Sequence, residues 1–157
     1  MNALMTDFLG RMLPWQGAEE TTYKAIVVRA PAKDNPSKTI TYGHATQTLS
    51  ELVRMATFHN DLKHDVYYAL GTQRIGQAKE GGGWMKVLRT ADNMVSFKSV
   101  WVDMDCGPGK PYADQQQAIT ALQDFCIHAE LPFPNQIVNS GNGLHVYWVL
   151  DTPIPTA

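Results

Sequence analysis

Cysteine is scarce in this chain of 157 residues, with Cys106 and Cys126 alone. They form no CxxC pair and no Cys/His set of zinc-site spacing, which argues against a structural zinc module and against a disulfide-stapled scaffold. Long apolar runs are missing as well. The opening MNALMTDFLGRMLPW is interrupted by Asp7 and Arg11, and no stretch approaches the roughly 20 apolar residues that span a bilayer. The expectation is a reducing, cytoplasmic compartment and no membrane partner.

Excess charge is lacking too. The formal net charge is −2, so nucleic-acid binding would have to come from a local cluster or from metal ions. Positive charge is absent from the last third: all 13 Lys and Arg lie at or before Lys110, while residues 111–157 carry Asp114, Asp124, Glu130 and Asp151. HExxH, GxSxG and GxGxxG do not occur. GPGKP at 107–111 lacks the GxxxxGK[ST] spacing of a phosphate loop and reads as a turn. Cys106 has no basic sequence neighbour to favour its thiolate and reads as packing.

What remains is a chain with 44% hydrophobic residues, enough for one domain with a sizeable core. Residues 3–13 show helical spacing and end at Pro14, a short helix that reads as an arm rather than core. YKAIVVRAP (23–31) and KTITYGHAT (38–46) flank the turn formers AKDNPS and predict a hairpin. Thr48 with Glu51 predicts a capping box opening a helix to about Asn60, with Leu49, Leu52, Val53, Ala56 and Phe58 inward. DVYYALGTQR predicts a strand. Residues 75–94, centred on GGGW, predict a mobile loop with some short structure.

From Val95 the pattern becomes regular. A strand to Asp105 is followed by a Gly/Pro turn, then by a helix from about Asp114 to Glu130 with Ala118, Ile119, Leu122, Phe125, Cys126 and Ala129 as its apolar stripe. PFPN ends that helix, and NQIVNS and GLHVYWVL predict two strands joined at 141–143. The fold class is therefore α+β: residues 1–94 form an αβ module, and the β-α-β-β order of 95–157 is the first part of a ferredoxin-like or RRM-like unit. Its closing helix and strand are not found, which predicts the N-terminal portion of a longer protein.

Two features could carry chemistry. In SVWVDMDCGPGK, residues i and i+2 of a strand share a face, so Asp103 and Asp105 present both carboxylates together. Hard cations such as Mg²⁺ take carboxylate and phosphate oxygens; taken alone, an isolated DxD is more often a solvated strand end. In SGNGLHVYWVL, Gly141 and Gly143 let the backbone turn tightly and expose amide groups that can cradle phosphate, with Asn142 between them and Ser140 adding a hydroxyl. His145 can donate to a triphosphate; taken alone, it is more often a packed strand histidine.

VYYALGTQR, the Gly-rich loop, SVWVDMDCG, a helix and IVNSGNGLHVYWVLD together resemble the archaeo-eukaryotic primase superfamily in its phage and plasmid primase–polymerase branch. The resemblance spans about residues 65–151 and rests on an hhDhD motif and an SxH-type motif in order around one helix. It implies an RRM-like palm in which Asp103 and Asp105 bind catalytic Mg²⁺ or Mn²⁺. Ser140, Gly141, Asn142, Gly143 and His145 would meet the triphosphate of an incoming nucleotide. It also implies nucleotidyl transfer on a single-stranded DNA template, a helicase domain or protein as partner, and a bacterial host or phage as source. The family's third acidic residue has no counterpart here: Asp151 falls at the end of the His strand, and the remaining acid is expected beyond Ala157.

Arg74, Lys86, Arg89 and Trp84, with Lys63, Lys79 and Lys98, surround the loose loop as a solvated surface or as a path for DNA phosphates and bases. Tyr67 and Tyr68 are stacking or core residues. Two other functions stay open. A rolling-circle replication initiator nuclease would need a paired-histidine metal motif and a tyrosine nucleophile, of which only His145 is in place. A non-catalytic RRM-like module would bind nucleic acid without metal and would not bind nucleotide.

Overall fold

The computed structural model describes residues 3–74, 76–77, 86–87 and 89–156. The chain divides into two units, Met1–Lys98 with Thr152–Ala157, and Ser99–Asp151. The architecture is α+β, built from helices and antiparallel sheets.

In the first unit, helix α1 (Ala3–Met12) precedes strand β1 (Lys24–Pro31) and strand β2 (Thr39–Thr46). β1 and β2 form the expected antiparallel hairpin. Its connection is held by Asn35, whose carbonyl accepts from Lys38 N and whose side chain accepts from Ser37 N at 3.1 Å. Helix α2 (Leu49–Asp61) begins at Thr48, whose hydroxyl accepts from Glu51 N. Strand β3 (Asp65–Tyr68) pairs with the other edge of β1. β1 thus lies in the middle of a β2-β1-β3 sheet, and Ala25, Ile26, Val27 and Val28 are all buried.

Three expectations are corrected in this unit. The N-terminal helix is not a free arm, because Leu9 and Met12 are buried and α1 packs on α2. Phe58 is half-exposed: it lies about 200° around the helix from buried Ala56, and His59 takes the inward position instead. Residues 65–74 are not one strand. Ala69 N–H makes the last bond to β1, at Ala25 O, and strand β4 (Gly71–Gln73) then pairs antiparallel with the start of β7 (Met94–Asp105), Gly71 opposite Phe97. Gly71 leaves room there for the Met94 side chain, which a Cβ would displace. The short strands β5 (Gly76–Gln77) and β6 (Lys86–Val87) pair with each other.

Polar groups are buried in this unit as well. Lys24 is fully buried, with its ammonium on Glu19 O, Thr22 O and Thr22 Oγ1 and 5.0 Å from the Trp15 ring centre. Burial lowers its pKa to about 8. His59 stacks between His44 (5.0 Å between centres) and His64 (5.5 Å). Burial, then the neighbouring His64, pushes the pKa of His59 below its ordinary value.

In the second unit, the end of β7 is followed by helix α3 (Gln115–His128), strand β8 (Gln136–Asn139) and strand β9 (Gly143–Pro155). Asp114 caps α3, its carboxylate accepting from Gln117 N at 2.8 Å. β9 lies between β7 and β8. It is antiparallel to β8, and its first residue sits beside Met104 near the end of β7, so it runs antiparallel to β7 too. α3 packs on one face of this sheet, where Ala118, Leu122 and Cys126 meet Met104, Leu144 and Val146, with Ile119, Ile137 and Trp148 at the margin. Phe125 and Ala129 are exposed instead of buried: the buried line runs through Ala118, Leu122 and Cys126, about 60° around the helix from Phe125, and Ala129 is the residue that ends the helix. Asn135 closes the outer edge with reciprocal bonds to Val149 N and O at 2.8 Å.

No described helix is long and apolar enough to cross a membrane. The histidine stack sets a pH dependence. With its native pKa below the unfolded value of about 6.5, His59 makes the unfolded chain the stronger proton binder, so stability holds above pH 6.5 and falls as pH drops through it. Denaturant titrations between pH 7.5 and 5 are expected to show this loss, and His59→Phe to flatten it; an equal slope in the variant would exclude the stack as its source.

Candidate functional site

The face of the second unit's sheet that α3 leaves open carries the candidate residues. Strand alternation puts Trp101, Asp103 and Asp105 on one side of β7, and Met104 on the other, buried under α3. On β9, Leu144 and Val146 join that core, so Gly143 and His145 face the opposite way. The two strands agree, since His145 Nε2 lies 3.7 Å from Asp103 Oδ1. Val138 of β8 pairs with His145. Carrying that register forward pairs Ser140 with Gly143, and Ser140 N–H donates to Gly143 O at 3.0 Å. Ser140 therefore shares the face of His145, Asp103 and Asp105.

The hairpin brings these groups to one end of the sheet. Gly141 has φ of 91° while Asn142 does not enter the left-handed region, the signature of a type II′ turn, whose twist suits paired strands. Asn139 fastens it: its side-chain oxygen accepts from Gly141 N at 2.8 Å and from Gln115 Nε2 at 2.8 Å, and its amide donates to Gln115 Oε1. On the inner side, Cys106 N–H donates to Asn142 O at 2.8 Å. Gly143 lies so close to β7 that a Cβ there would overlap Met104 O and stand 3.2 Å from Asp105 Cα. The turn, the first residues of α3 and Gly107 line an open depression of about 500 Å³.

Electrostatics separate the two aspartates. Asp105 Oδ2 accepts from Lys110 Nζ at 2.7 Å, and this contact raises the lysine's pKa, with the Asp103 charge adding to it. Asp103 instead faces His145. Both carboxylates are about half-exposed and so remain open to a further ligand. Desolvation, then Asp114 and Asp105, pushes the Cys106 thiol up. It stays protonated and packs at the edge of the core.

The structure brings together Asp103, Asp105, Ser140, Gly141, Asn142, Gly143 and His145. Of the basic candidates, Arg74 and Arg89 are exposed residues of the other unit. Only the backbone of Lys86 is described, and Trp84 and Lys79 fall outside the described residues. Tyr68 meets Phe8 edge to face at 5.5 Å, a packing role, while Tyr67 is half-exposed. Three contributors escaped the sequence reading. Lys110 was taken for a turn residue. Trp101, 50% exposed, shows only in its i−2 spacing from Asp103. The Gln115–Asn139 pair had no signal at all.

Comparison with family models, with curated proteins and with solved structures finds no match. The site's own chemistry suits a hard divalent cation, because its donors are two solvent-open carboxylates, one already holding an ammonium. Among the described residues no cluster of three or more His, Cys, Asp or Glu forms a metal cage, so water or substrate oxygens would complete the shell.

Close packing at the turn predicts unequal glycine substitutions. Gly143→Ala is expected to cost about 1–3 kcal/mol, as overpacking does, and to separate His145 from Asp103. Gly141→Ala meets no atom within 4 Å and carries only the strain of its positive φ, about 1–2 kcal/mol. Thermal unfolding of the two variants decides it, and a Gly143→Ala protein as stable as the parent would contradict the close approach.

Proposed function

We propose that this chain carries the nucleotide and metal site of a primase–polymerase, an enzyme that joins a nucleoside triphosphate to a 3′-hydroxyl on a single-stranded DNA template. The observation that carries it is the gathering of Asp103, Asp105, Ser140 and His145 on one open sheet face, at one end, opposite the only helix of the unit. Each is expected in that role from the sequence resemblance, and the 35 residues or more between the Asp103–Asp105 pair and the Ser140–His145 pair make the gathering informative.

The topology supports the finer fold. Two strands, β7 and β8, joined through α3, with β9 between them and antiparallel to both, make a split β-α-β arrangement, which is what half of a ferredoxin-like or RRM-like palm would present. Val100 and Val102, on the helix side of β7, remain 47% and 40% exposed, apolar surface that a second helix on that face would cover.

The roles follow from the chemistry. Mg²⁺ or Mn²⁺ at Asp103 and Asp105 would lower the charge between hydroxyl and triphosphate and polarise the phosphoryl group. The Ser140 hydroxyl and the amide groups of the turn would hold phosphate oxygens. His145, 3.7 Å from Asp103, would donate to the same oxygens. Trp101 offers a ring on which a base can stack. The 3′-oxygen bonds to the α-phosphorus as the bond to the β-phosphate oxygen breaks; pyrophosphate leaves and the hydroxyl proton passes to solvent. Positioning and charge stabilisation dominate such transfers. Arg74 and Arg89, exposed residues of the other unit, are candidates for contact with DNA phosphates, and a helicase is the partner that fits replication.

One observation favours a second reading: Trp101 exposed on a sheet face is also what a non-catalytic RRM-like module offers to a base. Calorimetry with a nucleoside triphosphate, with and without Mn²⁺, separates the two. The site predicts metal-dependent binding that falls about tenfold or more in Asp105→Asn, as expected where a charged ligand is neutralised. Metal-independent binding, or none, would favour the module.

A further inference from the structure

Residues 107–110 form a turn by their glycines, Gly107 at φ 119° and Gly109 at φ 75°, with Lys110 N–H on Gly107 O at 3.0 Å and Gly107 N–H on Tyr112 O at 2.8 Å. The turn does more than reverse the chain. It returns Lys110 to the strand it has just left, with its ammonium 2.7 Å from Asp105 Oδ2.

The charge inventory makes that placement significant. Residues 99–151 contain six carboxylates, at Asp103, Asp105, Asp114, Asp124, Glu130 and Asp151, and Lys110 as their single Lys or Arg. The one permanent cation of the unit is spent on a candidate metal ligand. A dication and an ammonium cannot share one carboxylate oxygen without strong repulsion. The ion pair is solvent-exposed on both sides, and pairs of that kind contribute about 0–1 kcal/mol. It therefore sets an ammonium beside Asp105 when no metal is bound, and is weak enough to give way. A lysine on a flexible stem at Asp105, whose Cα lies 3.2 Å from where a Cβ on Gly143 would stand, then becomes the unit's own positive charge for a polyphosphate.

We propose that Lys110 is a resident counter-cation of Asp105, displaced by a divalent metal and then engaged with the phosphate oxygens of the nucleotide. This rests on the metal and nucleotide site proposed above. Lys110 acts on the metal as a positioning and competing residue, and on the nucleotide as a direct ligand. The two roles have opposite signs, which a merely structural lysine would not produce.

The test uses the full chain and two variants, Lys110→Met and Lys110→Arg, with circular dichroism to confirm folding at this exposed turn. Mn²⁺ alone is titrated by electron paramagnetic resonance, and a fluorescent nucleoside triphosphate is titrated at saturating Mn²⁺. Lys110→Met is expected to bind Mn²⁺ several-fold more tightly and the nucleotide about tenfold more weakly, the loss of one charge-assisted bond; Lys110→Arg should stay near the parent in both. In an Asp105→Asn background, Lys110→Met should no longer tighten Mn²⁺. Unchanged or weaker Mn²⁺ binding by Lys110→Met overturns the displacement, and unchanged nucleotide binding overturns the phosphate contact; either can happen while metal-dependent nucleotide binding persists. If no protein binds nucleotide but Lys110→Met still tightens Mn²⁺, the displacement stands and the nucleotide site fails.

Discussion

Between the end of β7 and the start of β9 there is no room for a side chain. Gly143 fills that gap, with its missing Cβ where Met104 O already lies, and everything on the open face follows from the resulting register. Two residues on, His145 comes beside Asp103; across the turn, Ser140 comes to the same face; one residue on, Leu144 meets the core beneath α3. A larger residue would have to push the strands apart, and the acid pair would then lose its neighbours. The core on the helix side and the chemistry on the other are two consequences of a single contact.

The second constraint is charge. Two carboxylates on one face, a few ångströms apart, repel each other unless something positive lies between or beside them. The protein meets this with the Lys110 ammonium at Asp105, while Asp103 has the His145 ring 3.7 Å away. A polyanion approaching the same face encounters net negative charge. Its binding calls for cations brought from outside, which links a phosphate-shaped turn to a metal-shaped acid pair more firmly than either feature does alone. Loosely held charge is also what a site needs if its occupants are to exchange.

Much of this was legible in the sequence because it depends on short-range rules. The i, i+2 alternation in VWVDMD, the Thr48 and Asp114 caps, the glycine turn at 141 and the helix after 114 are local statements about a few residues, and local rules decide them. Asp103, Asp105, Ser140 and His145 could be placed on one face only through a resemblance that joined distant motifs; the register of β9 between β7 and β8 supplies the physical reason. What escaped was set by tertiary packing. Residues 65–74 have the propensity of one strand, yet switch partners at Ala69 because β1 and the start of β7 compete for them. Phe125 keeps helical period but lies on the flank of the stripe, whose centre at Ala118, Leu122 and Cys126 meets the sheet. Lys110 reads as punctuation because its contact with Asp105 depends on where a turn returns the chain, which spacing does not encode.

The central claim is that the acid pair of β7 and the turn between β8 and β9 form one cation-dependent phosphate site. Paramagnetic broadening of backbone amide resonances by trace Mn²⁺ on the isotope-labelled chain tests it directly. A single site predicts selective broadening at 103–106 and 140–145, reversed by chelation, with residues around the His44, His59 and His64 stack left sharp. Broadening centred on the histidine stack, or confined to one of the two segments, would contradict it.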